Sequence, residues 1–260
     1  MTKTEANRIW LDNMNFRASR EKYWKPKVYK NLLQMIRDAT AFSSVQAAIT
    51  NINSSIDSRP IAATIQAIYV DAGKVMGGRS YQSVKQSVQK ALMPIGYNED
   101  LVREIIAYFN ANLLNKVVLP ITDTMKDWIL QKLIDGQQDG KSITQMVNEM
   151  LVHDFPRNRA FVITRTEVLR AANYGAMKGA EKTGYKMRKT WIAADDFRTR
   201  RLPRDAFSHR AMNGVTVAMS DPFQVPRKIG GYEELQQPGD PSGSAGDVIQ
   251  CRCTVGFEVE

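Results

Sequence analysis

Cys251 and Cys253 lie two residues apart in the closing stretch of the chain and are its only cysteines. A thiolate is both a nucleophile and a soft metal ligand, so the surrounding residues decide which chemistry is open to this pair. His209, in Ser208-His209-Arg210-Ala211-Met212-Asn213-Gly214, would join them as the third ligand of a tetrahedral zinc site. The other histidine, His153, belongs to an earlier helical stretch, so an aspartate or a water would have to complete the set. Against a metal stands the alternation around the thiols. Ile249, Cys251, Cys253, Val255, Phe257 and Val259 share one parity, and Gln250, Arg252, Thr254, Gly256, Glu258 and Glu260 share the other. On a half-buried strand that pattern turns both sulfurs into the core, where cysteine acts as a small hydrophobe. Buried, unliganded thiols and no cofactor are therefore the preferred reading. Zinc at His209, Cys251 and Cys253, or redox or nucleophilic use, stays open. A disulfide within Cys-x-Cys is disfavoured, because same-face strand neighbours sit about 6.5 Å apart with parallel side chains.

The carboxylates offer a second chemistry. Asp195-Asp196 follows a strand-like run, and paired carboxylates can hold a divalent ion for nuclease work. Asp195, Asp196, Glu167 and His209 thus define an alternative reading, a metal-dependent nuclease or transferase. Four arginines (Arg198, Arg200, Arg201 and Arg204) stand beside the aspartates, which favours local neutralisation and turn formation over metal binding. Arg165 and Glu167 are two apart and do not face each other on a helix; each is expected to pair with a different element and anchor that helix. No Ser-His-Asp, phosphate-loop or Cys-x-x-Cys signature is present, and the reading is of a protein that is not an enzyme.

The formal net charge of +9 is concentrated between Arg157 and Arg210, where fourteen Lys or Arg meet five Asp or Glu. Basic charge gathered in one zone suggests a polyanionic partner, most simply nucleic acid, although a solvated basic face gives the same count. Lys186, Arg188, Lys189, Arg198, Arg200, Arg201, Arg204 and Arg210 are the candidate DNA contacts. A host DNA-binding regulator is a further alternative, but these residues scatter over helix, turn and strand edges with no clear recognition helix, which counts against it.

These groups must be positioned by an α+β fold, a mostly helical N-terminal region followed by a small α+β domain with short strands. Apolar spacings predict helices over Glu5–Tyr23 and Tyr29–Ala39, broken at Pro26, then Ile61–Lys74 ending at Gly77-Gly78, and Ser80–Leu92 before Pro94. Asn98 is read as the cap of a long helix that Pro120 kinks or ends, with Thr122 capping its continuation. Ser142 and Gln145 fit a capping box. The next helix, Arg157–Lys182, ends at Gly184. Beyond Tyr185, Lys189–Ala194, Val215–Ala218 and Val248 onward read as strands, and the glycine- and proline-rich stretch 220–247 reads as largely irregular. Residues 1–139 are assigned to the helical region and 140–260 to the C-terminal domain, with 157–182 as the linking helix. No unbroken apolar run approaches the roughly 18 residues of a membrane span, and Met1–Leu11 has no apolar signal core. The expected setting is a cytosol or something assembled there, with no membrane.

Taken in order, the pieces resemble the minor head, or head-morphogenesis, proteins of tailed bacteriophages, the family named after the F protein of phage Mu. The resemblance runs over roughly 140–260. It begins with Gly140-Lys141-Ser142-Ile143, Ile163-Thr-Arg-Thr-Glu167-Val and Ala171-Ala-Asn173-Tyr-Gly175. It continues through Trp191, Asp195 to Arg200, His209-Arg-Ala-Met-Asn-Gly214 and Asp221-Pro-Phe223, and closes with Pro238-Gly-Asp-Pro241 and Gln250-Cys-Arg-Cys253. Arg165, Glu167, Trp191, Asp195, His209, Gly214, Cys251 and Cys253 are its motif residues. Gln250 stands where the family generally has Asn, and the arginine-rich stretch through Leu202-Pro-Arg-Asp-Ala-Phe207 is longer than usual. The resemblance implies a low-copy virion protein made in the host bacterial cytoplasm and built into the procapsid. Its implied place is the head interior or portal vertex. Its implied partners are portal protein, major capsid or scaffolding protein, and packaged double-stranded DNA.

Overall fold

Proline inside a helix removes one backbone donor and crowds the preceding turn, yet Pro26 does not divide the first helix. In the computed structural model, which describes residues 1–88, 94 and 96–260, α1 runs unbroken over Lys3–Ala39. Pro26 and Lys22 are both exposed, so the carbonyl that loses its donor faces water. A Thr2–Glu5 capping box starts the helix, and Trp24, Val28, Leu32, Met35 and Ile36 bury one stripe of it. The sequence reading has no counterpart for α2, Val45–Ser55, which is polar apart from a narrow face centred on Ala48 and Ile52.

The Gly77-Gly78 pair does not end a helix either. α3 is continuous over Arg59–Val88; the expected end near Leu92 lies outside the described residues. Its glycines serve packing. Gly73 and Gly77 on α3 meet Gly175 and Gly179 on α7 (Asp154–Glu181), and the two backbones touch. A Cβ on Gly175 would stand 2.1 Å from the Gly73 carbonyl oxygen, and one on Gly179 would stand 2.0 Å from that of Gly77. Only glycine permits this approach, since no side-chain rotation removes a Cβ.

In chain order α3 is followed by a continuous rod made of α4 (Tyr97–Tyr108), a π-helical stretch (Phe109–Val118) and α5 (Leu119–Gln138). Gly96 rather than Asn98 occupies its N-cap. Pro120 enters at the start of α5 without ending the rod. Thr122 is no cap: its hydroxyl donates to the Val118 carbonyl at 3.0 Å, supplying a donor where the ladder is irregular. By length and composition this rod could cross a membrane, but Leu101, Ile105, Phe109, Leu113, Ile121, Met125 and Ile129 are buried in the helical core. α6 (Ile143–Val152) starts with the expected Ser142–Gln145 box.

The C-terminal part is built on α7. An antiparallel sheet has the order β2-β1-β5, from β1 (Met187–Ile192), β2 (Thr216–Ala218) and β5 (Thr254–Val259). The stretch read as irregular contains a hairpin, β3 (Phe223–Pro226) with β4 (Tyr232–Leu235). Two short helices, α8 (His209–Met212) and α9 (Ala245–Val248), complete it. The helical core extends past residue 139 through Met146, Met150, Ala160 and Ile163. A second core gathers Trp191, Phe223, Val225, Leu235, Cys251 and Cys253 against Leu169 and Met177 of α7. The N-terminal helix also reaches this part: Trp10 donates to the Arg252 carbonyl at 2.9 Å, and the Asn13 amide donates to Thr254 Oγ1 at 2.6 Å.

The glycine contact gives a direct test. Gly175→Ala is expected to cost about 3 kcal/mol, the upper end for overpacking, because its Cβ would meet backbone rather than a movable side chain. Thermal unfolding monitored by circular dichroism should then shift down by roughly 6–12 °C.

Candidate functional site

The strand expected from Val248 onward begins only at Thr254, and Cys251 and Cys253 precede it in irregular chain. Strand parity therefore does not set their direction. The chain leaves α9, reverses at Gln250, whose φ is +56°, and turns both sulfurs inward; each cysteine is buried. The left-handed turn is fastened to α7, because the Gln250 amide donates to Thr166 Oγ1 at 3.1 Å.

His209 opens α8, placed by Ser208, whose hydroxyl accepts from the Ala211 amide at 3.2 Å. Gly214, with φ +85°, lets the chain leave, and its amide donates to the Trp191 carbonyl at 2.9 Å. Trp191 packs edge-on against the imidazole, with ring centroids 5.4 Å apart. Nδ1 of His209 faces both sulfurs, at 3.6 Å from Cys251 and 3.4 Å from Cys253. Nε2 is held by a carboxylate oxygen of Asp247 on α9. Sequence reasoning misses Asp247, because nothing in its local sequence marks it; only the packing of α9 beneath α8 reveals it. Burial opposes protonation of His209, but the Cys251 sulfur and the Asp247 carboxylate on its two sides push it up to about 9. Burial likewise raises the Cys251 thiol, yet the Cys253 thiol and His209 together hold it well below its ordinary value. Burial and the neighbouring Cys251 drive Cys253 the other way.

The other carboxylates do not join it. Glu167 is buried against Arg170 Nη1 at 2.9 Å and the Tyr69 hydroxyl at 3.3 Å. Its ion-pair partner lies on α7 itself, and the Tyr69 hydroxyl is its link to α3. Asp195 faces Arg210 at 3.3 Å. Asp196 accepts from the Arg198 and Thr199 amides at 3.0 and 3.1 Å and takes both guanidinium arms of Arg252. It shapes the turn and is neutralised there. Among the described residues, the one convergent set of three His, Cys, Asp or Glu ligands is His209, Cys251 and Cys253, so the constellation of Asp195, Asp196, Glu167 and His209 is not assembled.

Beside the thiols opens a cleft of about 580 Å³, and Arg165, Arg198, Arg200 and Arg252 contribute to its lining along with His209 and Cys253. Arg165 therefore faces this cleft, stacked over Phe161. Of the candidate DNA contacts, Lys186, Arg188, Arg198, Arg201, Arg204 and Arg210 are exposed, and Arg200 is half-buried with Nη2 donating to the Ile249 carbonyl. Lys189 is a correction. It is buried, donating to the carbonyl and side-chain oxygens of Gln236 at 2.9 and 3.0 Å, and its desolvated ammonium falls to about 8. No phosphate reaches it in this fold. Its position on the strand gave no warning, because a lysine reads as exposed until its neighbours are known.

The motif residues converge on α7. Asn173 donates from its amide to the Pro238 carbonyl at 2.8 Å and the Cys253 carbonyl at 3.1 Å, and it accepts from the Thr254 hydroxyl at 3.0 Å. Arg170 Nε donates to the Gly239 carbonyl at 2.9 Å.

Two substitutions probe this arrangement. Gln250 carries a left-handed backbone cost of about 1 kcal/mol that asparagine largely avoids, so Gln250→Asn should raise the melting temperature by roughly 2–4 °C. Arg252 holds the Asp196 carboxyl well below the 3.8 of an ordinary aspartate. A depressed folded-state value gives stability that is present above that ordinary value and lost as pH falls below it. Asp196→Asn should therefore lower stability at neutral pH and flatten the acid limb of a melting-temperature profile.

Residues 127–256, half of the chain, match the family model described as phage Mu protein F like protein. No curated protein and no solved structure matches the chain. The matched span runs from within α5 to the middle of β5 and contains α7, His209, Asp247 and both cysteines. The chain belongs to the phage Mu protein F like family.

Proposed function

We propose that this member of a phage head-morphogenesis family is a minor head component, incorporated during procapsid assembly near the portal vertex, where it contacts packaged double-stranded DNA. Membership over residues 127–256 carries the head-morphogenesis part of this reading. The exposed basic side chains Lys186, Arg188, Arg198, Arg201, Arg204 and Arg210 support the DNA contact. They lie at the start of β1, in the loop between β1 and α8, and on the short α8 itself, and so offer phosphates a distributed surface rather than a recognition helix in a groove. Such contacts position a protein on a duplex without reading its sequence. The helical N-terminal region is the part assigned to portal, major capsid or scaffolding protein.

A gel-shift series on unrelated duplexes at rising salt tests the DNA half. Affinity should fall steeply with salt and be indifferent to sequence. Replacing Lys186, Arg188, Arg198 and Arg201 together with glutamine should make the log–log slope shallower by about 0.9 for each phosphate no longer neutralised. Lys189→Met should leave the slope unchanged. Affinity that ignores salt, or survives the fourfold variant, would remove DNA from the proposal. Co-purification with the portal protein, and detection of the chain in purified virions, test the location.

A further inference from the structure

One imidazole nitrogen faces two sulfurs. A ring nitrogen offers one proton or one lone pair and satisfies one hydrogen-bonding partner well, so the second thiol is one more than a hydrogen bond requires. The spacing fits a different bond. With metal–nitrogen and metal–sulfur bonds of about 2.05 and 2.3 Å, a tetrahedral site separates N and S by about 3.6 Å; Nδ1 lies 3.6 and 3.4 Å from the two sulfurs. All three atoms fall within 4.8 Å of one another.

The surroundings point the same way. Asp247 is fully buried and engages Nε2, the arrangement that turns the other nitrogen's lone pair toward a metal and strengthens it as a ligand. Among the described residues its second oxygen, Oδ2, is buried with no hydrogen-bond donor in good geometry, and the Glu233 carboxyl on that side is itself pushed up by burial and by Asp247. A carboxylate held this deep, partly unpaired, fits a site where a cation supplies the compensating charge. A cysteine nucleophile activated by His209 and Asp247 would share these contacts, but Cys251 is 1% exposed and absent from the cleft lining, so no substrate meets its sulfur.

The geometry points to a zinc-class divalent cation held by His209 Nδ1, Cys251 Sγ and Cys253 Sγ, with Asp247 fixing the imidazole from behind. His209 and Cys253 also line the arginine-rich cleft, the side from which water or an anion would supply a fourth ligand. Binding displaces the thiol protons and weakens in acid. The ion joins α8 to the segment leading into β5, while Asp247 adds α9. The inference is independent of DNA contact.

The full chain, without a polyhistidine tag and kept reduced, is analysed for metal and then, after chelator treatment, titrated with cobalt(II). One zinc per chain is expected, and cobalt should give the intense visible bands of a tetrahedral site together with sulfur-to-cobalt charge transfer. Cys253→Ser should lose the tight site, and Asp247→Asn should keep it with roughly 10- to 100-fold weaker binding. Folded, reduced wild type that retains no zinc and gives no cobalt bands overturns the proposal, as do bands unaltered by Cys253→Ser. The wild-type titration decides the matter even if a variant fails to fold.

Discussion

The fold rests on the place where α3 and α7 touch through bare backbone. Gly73 and Gly77 on one helix and Gly175 and Gly179 on the other remove every Cβ from the crossing, so the axes approach more closely than ordinary side chains allow. That closeness brings the Tyr69 hydroxyl to the buried Glu167–Arg170 pair. A buried ion pair is a weak source of stability, but leaving one member unpaired is costly; the pair therefore holds one arrangement of these helices. With α3 on one side, α7 has its opposite side left to carry the C-terminal part.

On that side the hydrogen bonds are few and specific. Thr166, Arg170 and Asn173 each bind a backbone group of a remote segment, at Gln250, Gly239, Pro238 and Cys253. Buried carbonyls and amides need partners, and these segments have little regular structure to provide them. The scattered motif pieces are thus opposite ends of the same bonds. Pro238-Gly-Asp-Pro241 and Gln250-Cys-Arg-Cys253 meet on one side chain, Asn173, which lies 65 positions before Pro238 and 80 before Cys253. Asp240 closes the first of them on itself, accepting from the Gln236 amide at 2.9 Å and the Ser242 amide at 2.8 Å.

Local signals suffice where local physics decides. The Ser142–Gln145 box, the stop at Gly184 and the turn made by Asp196 depend on residues within a few positions of one another. Pro26 and the Gly77-Gly78 pair mislead for the opposite reason. Both are helix breakers in isolation, and both are overruled by surroundings: Pro26 by solvent that takes up the freed carbonyl, Gly77 by a partner helix that needs the space. α2 is hard to see in the sequence because only Ala48 and Ile52 define its buried face. Strand parity turns the thiols inward for a reason that does not hold, since the residues that carry them are not strand; their burial follows from the left-handed turn at Gln250.

By itself the sequence determined the helical class of the first part, the small α+β character of the second, the family, and the concentration of basic charge between Arg157 and Arg210. Those properties follow from periodicity, composition and ordered motifs, which a linear chain displays directly. Only the tertiary structure decided which charges are free and which groups meet. It buried Lys189 beneath Gln236, separated Glu167 from Asp195 and Asp196, and set Asp247 behind His209 with two sulfurs in front. Those outcomes depend on distances between residues tens of positions apart, and such distances exist only once burial and the helix crossing have fixed one packing.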